Sequence, residues 1–344
     1  MRFAFTRDQL LFRDSVRDVL KRECPPDLVR ASWDDPRAAD GAWKTLAELG
    51  VVGLTVPEEY GGMGLGALDG VLLFEELGRF AAPVPLVETT AVAAPLLAAL
   101  RGEAARTWLP AIAKGDARVS ARLGPAAFAA DADAASLFLL DVEGAVHVFT
   151  KDDVSLAHEP TVDRARRLFR VTLTPGAVPI ATASPVALSS AFDRAALATS
   201  AELLGLGARM IEMTVEYVKV RKQFGAPIGS FQAVKHHLAT AHMRMELARP
   251  AVYRAAYSIS HDDPTASMHV SMAKACASDA AALAARAALQ CHGAIGYSFE
   301  HDLHLWMKRA WALAVAWGDA AWHRARVARA VIDGAPSIST GDTP

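Results

Sequence analysis

From Ala187 to Ile332 the apolar residues of this chain recur at helical spacing through four long segments. One runs to about Lys222, one from Phe231 to Ile259, one from Pro264 to about Cys291 and one from about Glu300 to Ile332. Helices this long, each with an apolar face, must bury those faces against one another, so residues 187–344 are expected to form a four-helix bundle. The rest of the chain reads differently. Thr6 is placed to cap a first helix that carries Leu10, Leu11, Val16, Val19 and Leu20 inward, and a second helix is expected from about Gly41 to Leu49. The run Val56-Pro57-Glu58-Glu59-Tyr60-Gly61-Gly62-Met63-Gly64 breaks the pattern before a helix resumes from Leu65 to Phe80. Between about Asp116 and Pro185, alternating and β-branched runs such as Leu137-Phe138-Leu139-Leu140, Val146-His147-Val148-Phe149 and Phe169-Arg170-Val171-Thr172-Leu173 predict a small β domain. The expected organisation is mostly α: a helical domain over 1–115, a β domain over 116–186 and the bundle over 187–344.

A chain of 344 residues exceeds the size that one core usually serves, which agrees with this division. With 52% hydrophobic residues, 22% charged residues and a formal net charge of -2, the composition excludes disorder and gives no basic surface for nucleic acid. No apolar run reaches the ~20 residues a membrane span needs, and the Met1–Gln9 segment is amphipathic without an apolar signal core. A cytoplasmic protein is expected. Cys24, Cys276 and Cys291 have neither zinc spacing nor a disulfide pattern and read as inert core thiols in a reducing compartment.

Two segments carry the chemistry. In Arg221-Lys222-Gln223-Phe224-Gly225-Ala226-Pro227-Ile228-Gly229-Ser230-Phe231-Gln232, Arg221 offers a planar, permanently charged fork suited to a pyrophosphate, and Phe224 an apolar face for part of a dinucleotide. Gly225 lets the backbone turn away. Taken alone, Arg221-Lys222 also suit the end of a helix, with Gly225 as its stop signal. In Gln290-Cys291-His292-Gly293-Ala294-Ile295-Gly296-Tyr297, Gln290 can donate and accept, while Gly293 and Ala294 let a ribose-pyrophosphate approach the backbone. A complete helix pair separates the two segments.

Together they resemble the C-terminal half of an acyl-CoA dehydrogenase. The resemblance covers nearly the whole chain: it is strongest from Leu203 to Tyr297, fair from Trp43 to Gly78 and poor in the middle. It implies the acyl-CoA dehydrogenase fold, FAD as cofactor and α,β-dehydrogenation of an acyl-CoA thioester. In the family these segments hold the ADP end of FAD across a subunit interface, which assigns cofactor contacts to Arg221, Phe224, Gln232, Gln290, Gly293 and Ala294.

The chain departs from the family where the flavin ring and the base belong. A Thr-Glu-Pro…Gly-Ser-Asp segment and a Trp-Ile-Thr-Asn-like strand are expected beside the ring; the chain has Ser120-Ala121-Arg122-Leu123-Gly124-Pro125-Ala126-Ala127 and Val146-His147-Val148-Phe149-Thr150-Lys151 instead. Counted from Gly296-Tyr297-Ser298-Phe299-Glu300, the family's catalytic Glu-Gly-Thr turn becomes Trp317-Gly318-Asp319. Some members carry the carboxylate on the preceding helix, near Ala195 or Ala196, and neither is acidic. Removing a weakly acidic proton requires a base within about 3 Å, which Trp317 cannot supply. Glu202 and Asp319 are the nearest substitutes.

The resemblance therefore extends to the non-catalytic subunit of bacterial α2β2, sterol side-chain type acyl-CoA dehydrogenases. It implies a hetero-oligomer in which a Glu-bearing homologue supplies base and flavin-ring contacts. Two alternatives stay open: a self-sufficient homotetramer with a relocated base, and a structural subunit that uses no flavin. Among other features, His301 and His304 read as surface residues lacking zinc spacing. His236 and His237 cannot both face one site. Trp306, Trp311, Trp317 and Trp322 read as packing or subunit contacts rather than one helical stripe.

Overall fold

A computed structural model describes residues 4–333. The expected domain limits at residues 1 and 344, and Met1 to Phe3 of the N-terminal segment, lie outside the described residues. Helix α1 (Arg7–Glu23) starts on a reciprocal cap in which the Gln9 amide donates to Thr6 Oγ1 over 3.2 Å and the Thr6 amide donates to Gln9 Oε1 over 2.9 Å. Val16 and Leu20 enter the core and Leu10 and Val19 pack against it, but Leu11 is 54% exposed. Its neighbour Leu10 takes the inward position, which turns Leu11 about 100° round the helix toward solvent.

Helices α2 (Pro26–Ala31), α3 (Asp40–Glu48) and α4 (Ala67–Arg79) follow. A buried π-helical segment, Val87–Ala93, runs into α5 (Ala94–Leu100), and α6 (Gly102–Lys114) completes the N-terminal helical region. The central region holds β1 (Val119–Arg122), β2 (Ala129–Ala130), β3 (Leu137–Val142), β4 (Ala145–Thr150), β5 (Val154–Glu159), β6 (Leu168–Leu173) and β7 (Ala181–Ala183). They form one sheet in the order β1-β3-β4-β7, whose β1–β3 pair is parallel, and an antiparallel sheet in the order β2-β6-β5. Leu137 and Leu139 of β3 face the helical core while Phe138 and Leu140 join the core between the sheets. Burial on both faces explains the unbroken apolar run at this strand.

The bundle consists of α7 (Pro185–Val220), α8 (Gln232–Ser260), α9 (Ala266–His292), α10 (Leu303–Val315) and α11 (Ala320–Ile332), with the short strands β8 (Lys222–Gln223) and β9 (Ala226–Pro227) joining α7 to α8. Helix α4 crosses α7 at backbone contact distance. A Cβ on Gly78 would sit 1.9 Å from the Glu202 carbonyl oxygen, and one on Gly205 would sit 1.8 Å from that of Glu75. Glycine at both positions lets the two helices approach and ties α7 to the N-terminal region.

The last segment corrects an expectation. In place of one helix from Glu300 to Ile332 there are two, broken where Trp317 (φ +57°) and Gly318 (φ +88°) both take left-handed backbone. Such geometry cannot continue a right-handed helix. Asp319 then restarts it, its Oδ1 accepting from the Trp322 amide over 2.7 Å as the cap of α11.

Candidate functional site

The six residues assigned to cofactor contact gather at one end of the bundle. Beyond α7 the chain makes a two-residue hairpin whose turn is Phe224 (φ +52°) and Gly225 (φ +78°), the conformation that gives a tight reversal the twist of its strands. Glycine suits this turn; phenylalanine is strained there. The Phe224 ring is nonetheless 93% exposed and meets Phe231 edge-on at 6.1 Å. Arg221 and Gln232 are also exposed, and among the described residues the Arg221 guanidinium has no hydrogen bond or ion pair. At the end of α9, Gln290, Gly293 and Ala294 are exposed, and Gly293 has φ +67° with open space where a Cβ would point. A small core of Val218, Leu238 and Cys291, with Tyr217 and Ile228 against it, joins the two segments from below. The buried His292 ring stacks on Tyr217 at 4.3 Å. The result is an outward-facing surface with a free cation, an apolar ring, amides and open backbone, which suits the phosphate and ribose part of a dinucleotide presented from outside this chain.

A second feature lies between the β region and the last two helices. A cleft of about 590 Å³ is lined by Phe128, Val162, Arg166, Trp311, Trp317 and Trp322, among other residues, and by none of the six above. Trp317 is buried in its wall. His323 Nε2 donates to the Trp317 carbonyl oxygen over 2.8 Å, which leaves Nδ1 buried without a partner, and burial pushes this imidazole down to about 4, so it is neutral. Phe192 meets the Trp317 ring edge-on at 6.1 Å. Among the described residues that line the cleft the one carboxylate is Asp319, whose Oδ1 caps α11, and Ala195 and Ala196 are fully buried.

Glu202 does not line the cleft. It is 8% exposed on α7, on the far side of Trp317, and burial pushes its carboxyl up to about 8, opposed by Arg309. Nearby, Arg309 pairs with Asp163 and donates to the Ala82 carbonyl over 3.0 Å, while Arg166 lies 3.8 Å from Glu88.

Two smaller expectations are corrected. His304 is buried rather than on the surface, 5.2 Å from the Trp33 ring, and burial with the adjacent Lys308 and Arg30 pushes it down to about 4. Cys276 is exposed on α9; Cys24 and Cys291 are buried. The sequence reading missed Lys274, whose only signal was a lone cation inside the alanine-rich Ala273-Lys274-Ala275 stretch. Its Nζ is fully buried at the joint between α10 and α11.

Comparison with known proteins agrees with this geometry. Residues 6–116 match the family model for the acyl-CoA dehydrogenase N-terminal domain, and residues 185–332 that for the acyl-CoA dehydrogenase C-terminal domain. The chain is 34% identical over 305 residues to the acyl-CoA dehydrogenase IpdE2 of Mycobacterium tuberculosis, covering 88% of this chain and 91% of that protein. Among solved structures, the Tcur3481-Tcur3483 steroid ACAD G363A variant superposes with a TM-score of 0.87 at 25% identity, covering 95% of this chain and 98% of that one. The ChsE4-ChsE5 complex from Mycobacterium tuberculosis superposes equally well, with a TM-score of 0.87 at 24% identity over 98% of this chain and 100% of that one.

Proposed function

The chain belongs to the acyl-CoA dehydrogenase family, and we propose that it serves there as the subunit lending an ADP-binding surface to a Glu-bearing partner, not as the subunit that abstracts the proton. The observation that carries this reading is Trp317, buried in the cleft wall at the position that counting along the sequence gives to the family's base. The outward-facing surface around Arg221, Phe224 and Gln290 supports it from the other side, since a binding surface that faces away from its own cleft serves a neighbouring subunit. Both solved structures named above carry the names of two different proteins.

On this reading Arg221 neutralises the pyrophosphate, Phe224 and the Gly293-Ala294 backbone receive the ribose end, and Gln232 and Gln290 fix its orientation by hydrogen bonds. Flavin, when bound, supplies the hydride acceptor for the substrate's β carbon. The partner's carboxylate takes the α proton. The substrate is an acyl-CoA thioester, and the steroid dehydrogenase likeness favours one with a sterol-derived acyl group. Among the described residues no helix is long and apolar enough to cross a membrane, and we place the reaction in the cytoplasm.

The test is flavin content and turnover with and without the partner. The chain purified alone is expected to carry little FAD and to lack acyl-CoA dehydrogenase activity, whereas co-expression with a Glu-bearing homologue yields a yellow, active hetero-oligomer. A yellow, substrate-reducible homomer would make this chain self-sufficient. An active complex whose flavin is untouched by changes at Arg221 and Gln290 would make it a structural subunit.

A further inference from the structure

Trp317 and Arg166 line not only the cleft but also a smaller chamber behind it. All three parts of the fold meet in that chamber: Glu88 from the π-helical segment, Asp131 following β2, Arg166 from the β5–β6 connection, Thr199 and Glu202 from α7, and Arg309 from α10. Its volume is about 20 Å³, above the ~10–15 Å³ that a single water requires. Two of its polar groups lack a protein partner. Thr199 is fully buried and its hydroxyl has no hydrogen bond, although Ser200 beside it back-bonds to the Ala196 carbonyl over 2.5 Å. Glu202 feels Arg309, Glu88, Arg166 and Asp163 through space, but the guanidiniums are directed elsewhere, Arg309 to Asp163 and Arg166 toward Glu88. A fully buried hydroxyl left unmet is costly to the fold.

We propose that this chamber binds one water molecule, shared between the Thr199 hydroxyl and the Glu202 carboxyl group and sealed from the cleft by the Trp317 indole. Water fits better than a cation. Two guanidiniums line the same space, and among the described residues no group of three or more His, Cys, Asp or Glu side chains is arranged to hold a metal ion. A water can accept from the Glu202 carboxylic acid and donate to Thr199, matching a carboxyl group that burial holds in its protonated form at neutral pH. Glu202 is then a stored acid, closed off from anything bound in the cleft. This inference does not depend on which subunit supplies the catalytic base.

The experiment compares the full chain with T199V, T199S, E202Q and W317A. Oxygen-17 magnetic relaxation dispersion counts long-lived internal waters, infrared spectroscopy follows the protonated carboxyl band, and thermal unfolding gives the sign of each change. T199V is expected to lose one long-lived water and to lower the Tm, while T199S keeps the water. E202Q is expected to abolish one protonated-carboxyl band at neutral pH. That band should exchange slowly in deuterated solvent in the parent chain and quickly in W317A. The proposal is overturned if T199V raises the Tm with its water count unchanged, the behaviour of a dry chamber freed of an unmet hydroxyl. It is equally overturned if E202Q removes no such band, or if exchange in the parent chain is already as fast as in W317A.

Discussion

Lys274 Nζ lies 3.0 Å from the carbonyl oxygen of Gly318, with its side chain fully buried. The same amine donates to the Ala314 carbonyl over 3.0 Å and to Ser278 Oγ over 3.2 Å. It therefore holds the last turn of α10 to the first residues beyond the break, fixing the joint on which Trp317 sits. Lys274→Met retains the apolar stem and removes every donor. Each of its three hydrogen bonds contributes about 0.5–1.5 kcal/mol net, so the variant is expected to lose ~2–4 kcal/mol of stability. Hydrogen exchange at the 316–319 amides should speed up more than elsewhere; exchange unchanged at these amides would show that the joint holds without the lysine.

Lys274 and Glu202 also predict opposite responses to pH. Burial pushes Lys274 down to about 7 from 10.5, so between those values the unfolded chain binds more protons and stability from this group rises with pH. Burial pushes Glu202 up to about 8 from 4.5, so across that window the folded chain binds more protons and stability falls as pH rises. Denaturant unfolding across a pH series should show the deficit of Lys274→Met growing from about 7 to 10.5. Glu202→Gln should gain on the parent chain from 4.5 to about 8. Part of the parent's fall will remain in Glu202→Gln, because burial also raises Asp131, to about 7, and Glu88.

Arg221→Ala should weaken FAD binding by the assembled complex. A charge-assisted contact of ~1.5–3 kcal/mol corresponds to roughly a ten- to hundred-fold loss in affinity, at 1.36 kcal/mol per factor of ten. FAD titration into the apo-complex measures it, and unchanged affinity removes Arg221 from the cofactor site.

Trp317→Ala should leave turnover of the complex nearly intact, because the base is expected from the partner subunit. The chain itself should lose ~3–5 kcal/mol, the usual consequence of truncating a buried tryptophan. Steady-state assays with an acyl-CoA beside thermal unfolding separate the two effects. Turnover abolished with assembly intact would make this chain's own cleft the active one.

Much of the helical frame was legible because it depends on local periodicity and capping. Thr6 with Gln9, the apolar face of α1 and the long helices of the bundle all follow from residues a few positions apart. The family resemblance put a turn at Trp317-Gly318-Asp319 while periodicity ran one helix through it, since the groups that hold the break come from Lys274 on α9 and His323 on α11, and their partners are backbone carbonyls that no side-chain pattern reveals. His304 read as a surface residue because nothing nearby in sequence announces Trp33, whose ring packs on it from the N-terminal region. The short helices α2 and α5, and α6, also escaped. The six residues assigned to cofactor contact were assigned by motif, while the Thr199–Glu202 chamber is assembled from segments scattered over more than half of the chain.

The Phe224 ring, held in water on a strained turn, bears on how the protein must be produced. An aromatic side chain left outside forgoes ~1.5–3 kcal/mol of burial, and every copy made in excess of its partner keeps that deficit. Surplus copies expose an adhesive tip to chaperones, to proteases and to one another. On the proposed reading, matched synthesis of the two subunits, with pairing soon after release from the ribosome, removes that hazard, so the ring assigned to the cofactor would also penalise unequal supply.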